Sequence, residues 1–288
     1  MSDDPFITHR RLLFTVAYEM LGSAADAEDV LQESWLRWAE VDQAQVREPR
    51  AYLVRIVTRQ ALNHVRSRSR RREDYIGEWL PEPLLTSPDV AEDVELAESV
   101  SIAMLTVLET LAPTERAVFV LREVFDVPYE EIAAALDKTP ATVRQIAHRA
   151  RDHVAARRPR IRVDRAEQEE VVQRFVDALN TGDLPGLLAV LAPDVVLVAD
   201  GNGLVGAARK PIIGAERLAT YLINGAARVQ LSGVPVAING GAGALFHVDG
   251  SLTAALSVVV ADGRIARLYS VVNPDKLERL DAEVMLAR

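Results

Sequence analysis

The sequence predicts two small all-α modules followed by an α+β domain. Three observations carry that prediction. Residues 6–72 and 95–158 read as helical, with apolar residues at helical spacing. Between them lies a segment, residues 77–91, holding Gly77, Pro81, Pro83 and Pro88, which reads as a non-helical linker. After about residue 163 the texture changes to a few amphipathic helices and then strand-like apolar runs separated by Asn-Gly, Asp-Gly and Gly-Gly turns. The bounds that follow are residues 1–73 for a helical bundle, 74–98 for an acidic linker, 99–160 for a helix-turn-helix module and 164–288 for the α+β domain. A chain of 288 residues accommodates two domains, or three small ones, at ~100–200 residues each.

Each element has a local reason. Ser23-Ala24-Ala25-Asp26 resembles a capping box that starts a helix. From Ala51 onward Leu53, Ile56, Val57 and Ala61 fall on one helical face, and Arg55, Arg59, Asn63 and Arg66 on the other. Pro113 stands in the first turn before Glu115–Val124, and Pro128 before Tyr129–Leu136. Asp137-Lys138 then makes a short turn, in which aspartate tolerates a positive φ. Thr139 is an N-cap with Pro140 at the first helical position, and Val143, Ile146, Ala147 and Ala150 share one side of the next helix. Two short helices with a tight turn, the second one basic, make a helix-turn-helix pattern. In the last domain helices are expected over 166–180, 184–191 and 216–225, and strands over 195–199, 229–238, 244–248, 252–261 and 265–272.

Composition narrows the function. The chain has no cysteine, which excludes a disulfide scaffold, thiolate metal sites and cysteine nucleophiles. Its start, Met1-Ser2-Asp3-Asp4, lacks the basic and apolar regions of a signal peptide. The longest apolar runs, such as Val195–Ala199 and Val258–Ala261, fall far short of the ~20 residues a bilayer requires. A cytoplasmic protein with no membrane association is expected.

The net charge of −9 argues against nucleic-acid binding only until it is divided along the chain. Residues 47–72 carry nine arginines and one acid, residues 73–98 nine acids and no base, and residues 138–162 eight bases and one acid. Arginine forks pair with phosphate oxygens, and the counterions they release make such binding salt-dependent. The helix from Ala51 therefore offers Arg55, Arg59, Asn63 and Arg66, with Arg50 before it, to nucleic acid. In the second helix of the helix-turn-helix, Thr142, Arg144, Gln145, His148 and Arg149 are the exposed candidates for the major groove. The alternatives are a solvated arginine face and an ordinary helical hairpin. The acidic linker between the two basic segments is positioned to shield them through short-range attraction.

Together these segments resemble the extracytoplasmic-function (ECF) sigma factors of bacterial RNA polymerase. Residues 26–38, Asp-Ala-Glu-Asp-Val-Leu-Gln-Glu-Ser-Trp-Leu-Arg-Trp, are similar to the region 2 helix that binds the core enzyme, which implies polar contacts from Asp29, Gln32 and Glu33. Of Trp35 and Trp38 in this stretch, at least one is expected to be a core aromatic. Residues 43–66 resemble the part that melts and reads the −10 element, with the loop before Ala51 cupping a flipped base; the chain departs from many members in carrying arginine at position 59. Residues 108–155 resemble region 4, which binds the −35 element.

A narrower resemblance spans nearly the whole chain. Trp79-Leu80-Pro81-Glu82-Pro83 and Asn273-Pro274-Asp275-Lys276-Leu277 are similar to signatures of an ECF group with a SnoaL-like C-terminal extension. Asp200-Gly201-Asn202-Gly203 stands where that group tends to have Asp-Gly-Gly-Gly-Lys. The resemblance implies a cone-shaped α+β domain regulating the sigma modules in cis, through Trp79, Leu80, Pro81, Asp200, Asn273, Asp275 and Lys276. It does not say whether the domain activates or inhibits.

Some SnoaL-like relatives are enzymes with an acid/base group in an apolar pocket, which makes Asp200, Tyr221 and His247 the catalytic candidates here. A regulatory or ligand-binding role is favoured over catalysis, with no cofactor and no metal expected. The partners implied are core RNA polymerase, promoter DNA and a small-molecule ligand of the C-terminal domain, met by a monomer. The rival readings are a ligand-sensing helix-turn-helix regulator acting without polymerase, and an enzyme with a DNA-binding appendage.

Overall fold

A computed structural model describes residues 4–72, 75–87, 90, 93–157, 164–204 and 206–288, with the backbone alone over 66–72. The first module is built from α1 (Pro5–Thr8), α2 (Arg10–Leu21), α3 (Ala24–Ala39) and α4 (Pro49–Arg72). α2 is its axis. Leu13, Val16, Ala17, Tyr18 and Met20 are buried, and so are Thr15 and Glu19, so the helix has almost no solvent face. It ends at Gly22, whose φ of 67° is the left-handed cap that glycine adopts without strain. Trp38 is fully buried and its Nε1 donates to Asp4 at 3.1 Å, whereas Trp35 is 38% exposed.

The second module comprises α5 (Val94–Val100), α6 (Ile102–Leu108), α7 (Pro113–Phe119), α8 (Tyr129–Leu136) and α9 (Pro140–Arg157), with α7 running on into a π turn over Val120–Val124. The helix-turn-helix forms as its local sequence dictates. Asp137 takes φ 52° to end α8, and Thr139 Oγ1 accepts from the Thr142 amide at 3.2 Å to start α9. The two modules do not sit apart. Buried side chains of α2–α4 and of α5–α9 form one continuous apolar core.

The linker residues 75–87 run extended, without helix. Glu73, Asp74, Asp89 and Glu92 lie outside the described residues, and three of the described acids have partners away from α4. Glu82 meets the backbone at the start of α3, and Asp93 and Glu95 meet Arg288.

The C-terminal domain has α10 (Arg165–Thr181), α11 (Leu184–Val190), β1 (Leu191–Asp200), β2 (Ile212–Ile213), α12 (Ala215–Ala226), β3 (Leu231–Ile238), β4 (Gly241–Val248), β5 (Ser251–Ala261), β6 (Arg264–Val271) and a short α13 (Pro274–Leu277). The sheet order is β2-β1-β6-β5-β4-β3, antiparallel except for β1 beside β6. Asn239-Gly240, Asp249-Gly250 and Asp262-Gly263 all have positive φ and close three two-residue hairpins. The α+β architecture is the predicted one, with β2 added at the sheet edge.

The strands are apolar on both faces for a physical reason. Leu197, Phe246, Leu256 and Leu268 point to α10–α12. Leu245, Ala255, Tyr269 and Val271 point the other way, onto Leu80 of the linker and Ile102 of α6. A sheet buried on both sides loses the polar alternation of an exposed one.

Candidate functional site: the seam between the basic modules

The residues read as nucleic-acid contacts divide into two sets with different fates. On α9, Thr142, Arg144, Gln145, His148 and Arg149 are all exposed. Their interactions are local: Arg144 pairs with Glu130 at 2.9 Å, His148 with Asp152 at 2.9 Å and Arg149 with Glu115 at 3.7 Å. Exposed pairs of this kind contribute little and give way to a competing anion.

The α4 set is engaged. Arg50 and Asn63 are exposed, and Arg55 stacks 4.8 Å from the Tyr52 ring. Arg59 reaches across to the other module. Its Nε donates to the Ala135 carbonyl at 2.9 Å, and one Nη donates to the Ala134 carbonyl at 3.0 Å and to Asp137 at 2.9 Å. A cation on the last carbonyls of α8 is favourable for the helix dipole as well as for the orphan acceptors. The cleft of about 320 Å³ beside the loop at 45–48, lined by Arg47, Tyr52 and Arg55, is walled on its far side by Glu131 and Ala134 of α8. The side chain of Arg66 lies outside the described residues.

Asp29, Gln32 and Glu33 share an exposed face of α3, beside Trp35 and Leu36. Glu33 is also held from α4, accepting from Gln60 at 2.7 Å and facing His64 Nε2 at 3.3 Å.

The linker and the C-terminal domain meet at Asp200, the last residue of β1, which is fully buried. Its carboxylate accepts from the Leu80 amide at 2.7 Å, from Lys276 Nζ at 2.7 Å and from the Tyr75 hydroxyl. Lys276 also donates to the Leu80 carbonyl and lies 4.1 Å from the Trp79 ring. Asn273 donates to Tyr75 at 3.0 Å and caps α13 through the Asp275 amide at 3.2 Å, while the Asp275 side chain is exposed. Burial, together with the bond to Asp200, pushes the Tyr75 hydroxyl well above the ordinary tyrosine range. Pro81 is buried between these contacts and those of Glu82.

Sequence reasoning did not single out Glu82, Tyr18, Asn239, Glu19 or Arg116. The Glu82 carboxylate accepts from Ser23 Oγ at 3.0 Å, the Ala24 amide at 2.8 Å and the Ala25 amide at 3.3 Å. It thus supplies, from 58 residues away, the acidic half of the capping box that Ser23 opens. The Trp79 ring closes over Gly22, where a Cβ would approach it to 2.9 Å. Asn239, at the β3–β4 turn, is fully buried between modules. Its Nδ2 donates to Tyr18 and to the Val100 carbonyl, both at 2.7 Å, and its Oδ1 accepts from the Leu84 amide at 2.8 Å. Ser99 of α5 donates to buried Glu19 of α2 at 2.8 Å, and Arg116 of α7 donates to the Glu19 carbonyl at 2.7 Å and pairs with Glu109. The one signal in sequence was the Trp79–Pro83 motif itself; Asn239 reads only as a turn residue.

The catalytic candidates are not assembled. Asp200 holds three donors, Tyr221 donates to the Gly206 carbonyl at 2.8 Å, and no hydrogen bond joins either to His247 among the described residues. Phe175, Leu187, Leu218 and Phe246 fill the space between helices and sheet.

Among known proteins, residues 6–71 match the model of Sigma-70 region 2 and residues 101–154 that of Sigma-70 region 4. The chain is 37% identical over 297 residues to the ECF RNA polymerase sigma factor SigJ of Mycobacterium tuberculosis, covering 96% of this chain and 93% of the relative. It is 32% identical over 280 residues to the probable ECF RNA polymerase sigma factor SigI of the same species, covering 96% and 94%. The crystal structure of M. tuberculosis SigJ superimposes with a TM-score of 0.77 at 34% identity, covering 95% of this chain and 97% of that one.

Proposed function

The chain belongs to the ECF RNA polymerase sigma factors, non-enzymatic initiation factors that bind core polymerase and promoter DNA, and on that premise we propose that its C-terminal domain controls it in cis by holding a closed, core-free state. The observation that carries this reading is Arg59 bonded to Ala134, Ala135 and Asp137. It joins the region 2 helix directly to the region 4 helix-turn-helix. The −10 and −35 elements lie about 25 base pairs apart, on the order of 85 Å at ~3.4 Å per step. Modules in direct contact do not span that distance, so initiation requires their separation.

The roles then divide by accessibility. Asp29, Gln32 and Glu33 on α3 dock on core polymerase without prior opening, since that face is exposed. Thr142, Arg144, Gln145, His148 and Arg149 present region 4 to the −35 major groove. Arg50, Arg55, Asn63 and Arg66 serve the −10 element, and Arg59 joins them when α8 departs. The C-terminal domain favours closure because it grips both modules and the linker, through Asn239 on Tyr18 and Val100 and through Asp200 and Lys276 on Leu80. The factor works in the cytoplasm as one copy per polymerase.

The chain contains no cysteine, so Glu40→Cys and Ala156→Cys, both at exposed positions, place one dye on each module. Energy transfer is expected to be high in the free chain and to fall in complex with core polymerase and promoter. Run-off transcription is expected to rise when Lys276→Ala weakens the grip on the linker. Equal separation in the free and polymerase-bound states would overturn the reading.

A further inference from the structure

The last residues of the chain leave the C-terminal domain and cross onto the sigma modules. The Val284 amide donates to the Leu85 carbonyl at 2.8 Å, and Val284 bridges Thr86 in parallel, so the segment begins as a strand added to the linker. Leu286 is only 8% exposed and belongs to the core shared by the two modules. The Ala287 amide donates to Thr15 Oγ1 of α2 at 3.2 Å. Arg288 pairs with Asp93 at 3.0 Å and with Glu95. One short run thus touches the linker, the axial helix of region 2 and the first helix of the region 4 module.

We propose that Val284–Arg288 is a detachable strap that clamps α5 against α2, a lock on the closed state separate from the Asp200–Lys276 contact. The proposal rests on the closed-state reading. The strap is built to release. Its apolar anchors are few, Leu286 with partly buried Val284, Met285 between them is 45% exposed, and its ionic anchors are two partly exposed pairs that salt and competing charges weaken. Its removal uncovers Thr15 and leaves Asp93 and Glu95 without Arg288, while the sheet and the α10–α12 layer stay intact, since no residue of the strap belongs to that layer's core.

The test uses the full chain labelled at positions 40 and 156. Arg288→Glu is expected to raise the open-to-closed ratio about two- to fivefold, the range of an exposed ion pair. Adding Glu95→Arg to it is expected to recover part of the closure through an inverted pair, while Asp93 still opposes the new carboxylate. Leu286→Asp is expected to shift the ratio at least about tenfold, as loss of a buried leucine anchor does, with no recovery on Glu95→Arg. Run-off transcript should follow the same order. Circular dichroism checks that Leu286→Asp folds, and Arg288→Glu, at a surface position, keeps the test open if it does not. A closed wild type with Arg288→Glu and Leu286→Asp equally closed overturns the strap alone. A wild type already open overturns the closed-state reading and the strap with it.

Discussion

Arg59 and Asp137 lie 2.9 Å apart, one on the basic helix of region 2 and the other in the turn of the region 4 helix-turn-helix. The arginine is thereby committed twice over: its chemistry suits a phosphate or a base edge, yet the closed chain gives it helix carbonyls and a carboxylate. On the proposed function, DNA and α8 compete for the same guanidinium, and promoter contact is coupled to opening.

Asp137→Asn is the mildest way to test that coupling, because asparagine also tolerates the left-handed turn at φ 52°. The ion pair is exposed, so its loss is expected to cost the closed state only ~0.5 kcal/mol. Energy transfer between the modules should fall slightly and affinity for −10 single strand should rise about twofold. Unchanged affinity would mean that Arg59 is not limiting.

Asp200→Asn attacks the linker contact. The side chain is fully buried and Lys276 nearly so, and removing one partner of a buried pair strands the other charge, at about 3 kcal/mol. Denaturation should begin at distinctly lower urea, and Lys276→Met in the same chain should recover much of the loss. A double variant no better than Asp200→Asn alone would show that the carboxylate acts through Tyr75 and Leu80 instead.

Asn239→Ala removes the contacts that join the β3–β4 hairpin to Tyr18, Val100 and Leu84. It leaves the Leu84 amide short of an acceptor in a buried place and puts alanine at φ 52°. The expected cost is about 2–4 kcal/mol. Hydrogen exchange at Leu84 should accelerate far more than at Leu245, inside the sheet. Equal acceleration at both would mean global destabilisation and not the loss of a local contact.

These sites show what local sequence does and does not carry. The positive φ of Asp137, the Thr139 cap and the Asn-Gly and Asp-Gly hairpins follow from residues within a few positions, and the sequence reading placed all of them. The partners of Arg59, Glu82 and Asn239 lie 57 to 221 residues away, and no spacing rule reaches so far. The apolar strands read from sequence as the walls of a ligand pocket, with nothing local to show a second buried face. The structure shows the second face covered by Leu80 and Ile102. From sequence Trp79 reads equally as a docking anchor or as a plug on its own domain's core, and its berth on Gly22 is not legible there.

Glu19 makes the closed state sensitive to pH. It is fully buried in α2, and burial pushes its carboxyl up from an ordinary 4.5 to about 8, against the opposing effects of Ser99 and Arg116. Arg116 does not neutralise it cheaply, because that guanidinium already pairs with Glu109. The closed chain therefore holds the proton, while an opened seam hydrates Glu19 and releases it. Below about 4.5 both states are protonated, and closure is at its strongest and does not change with pH through this group. Between about 4.5 and 8 the open state binds fewer protons, so closure weakens steadily as pH rises; above about 8 both states are ionised and the effect levels off. Energy transfer measured from pH 6 to pH 9 should fall in the wild type and stay flatter in Glu19→Gln, which keeps a neutral side chain of the same shape. Parallel curves for the two proteins would remove Glu19 as the source of the pH dependence.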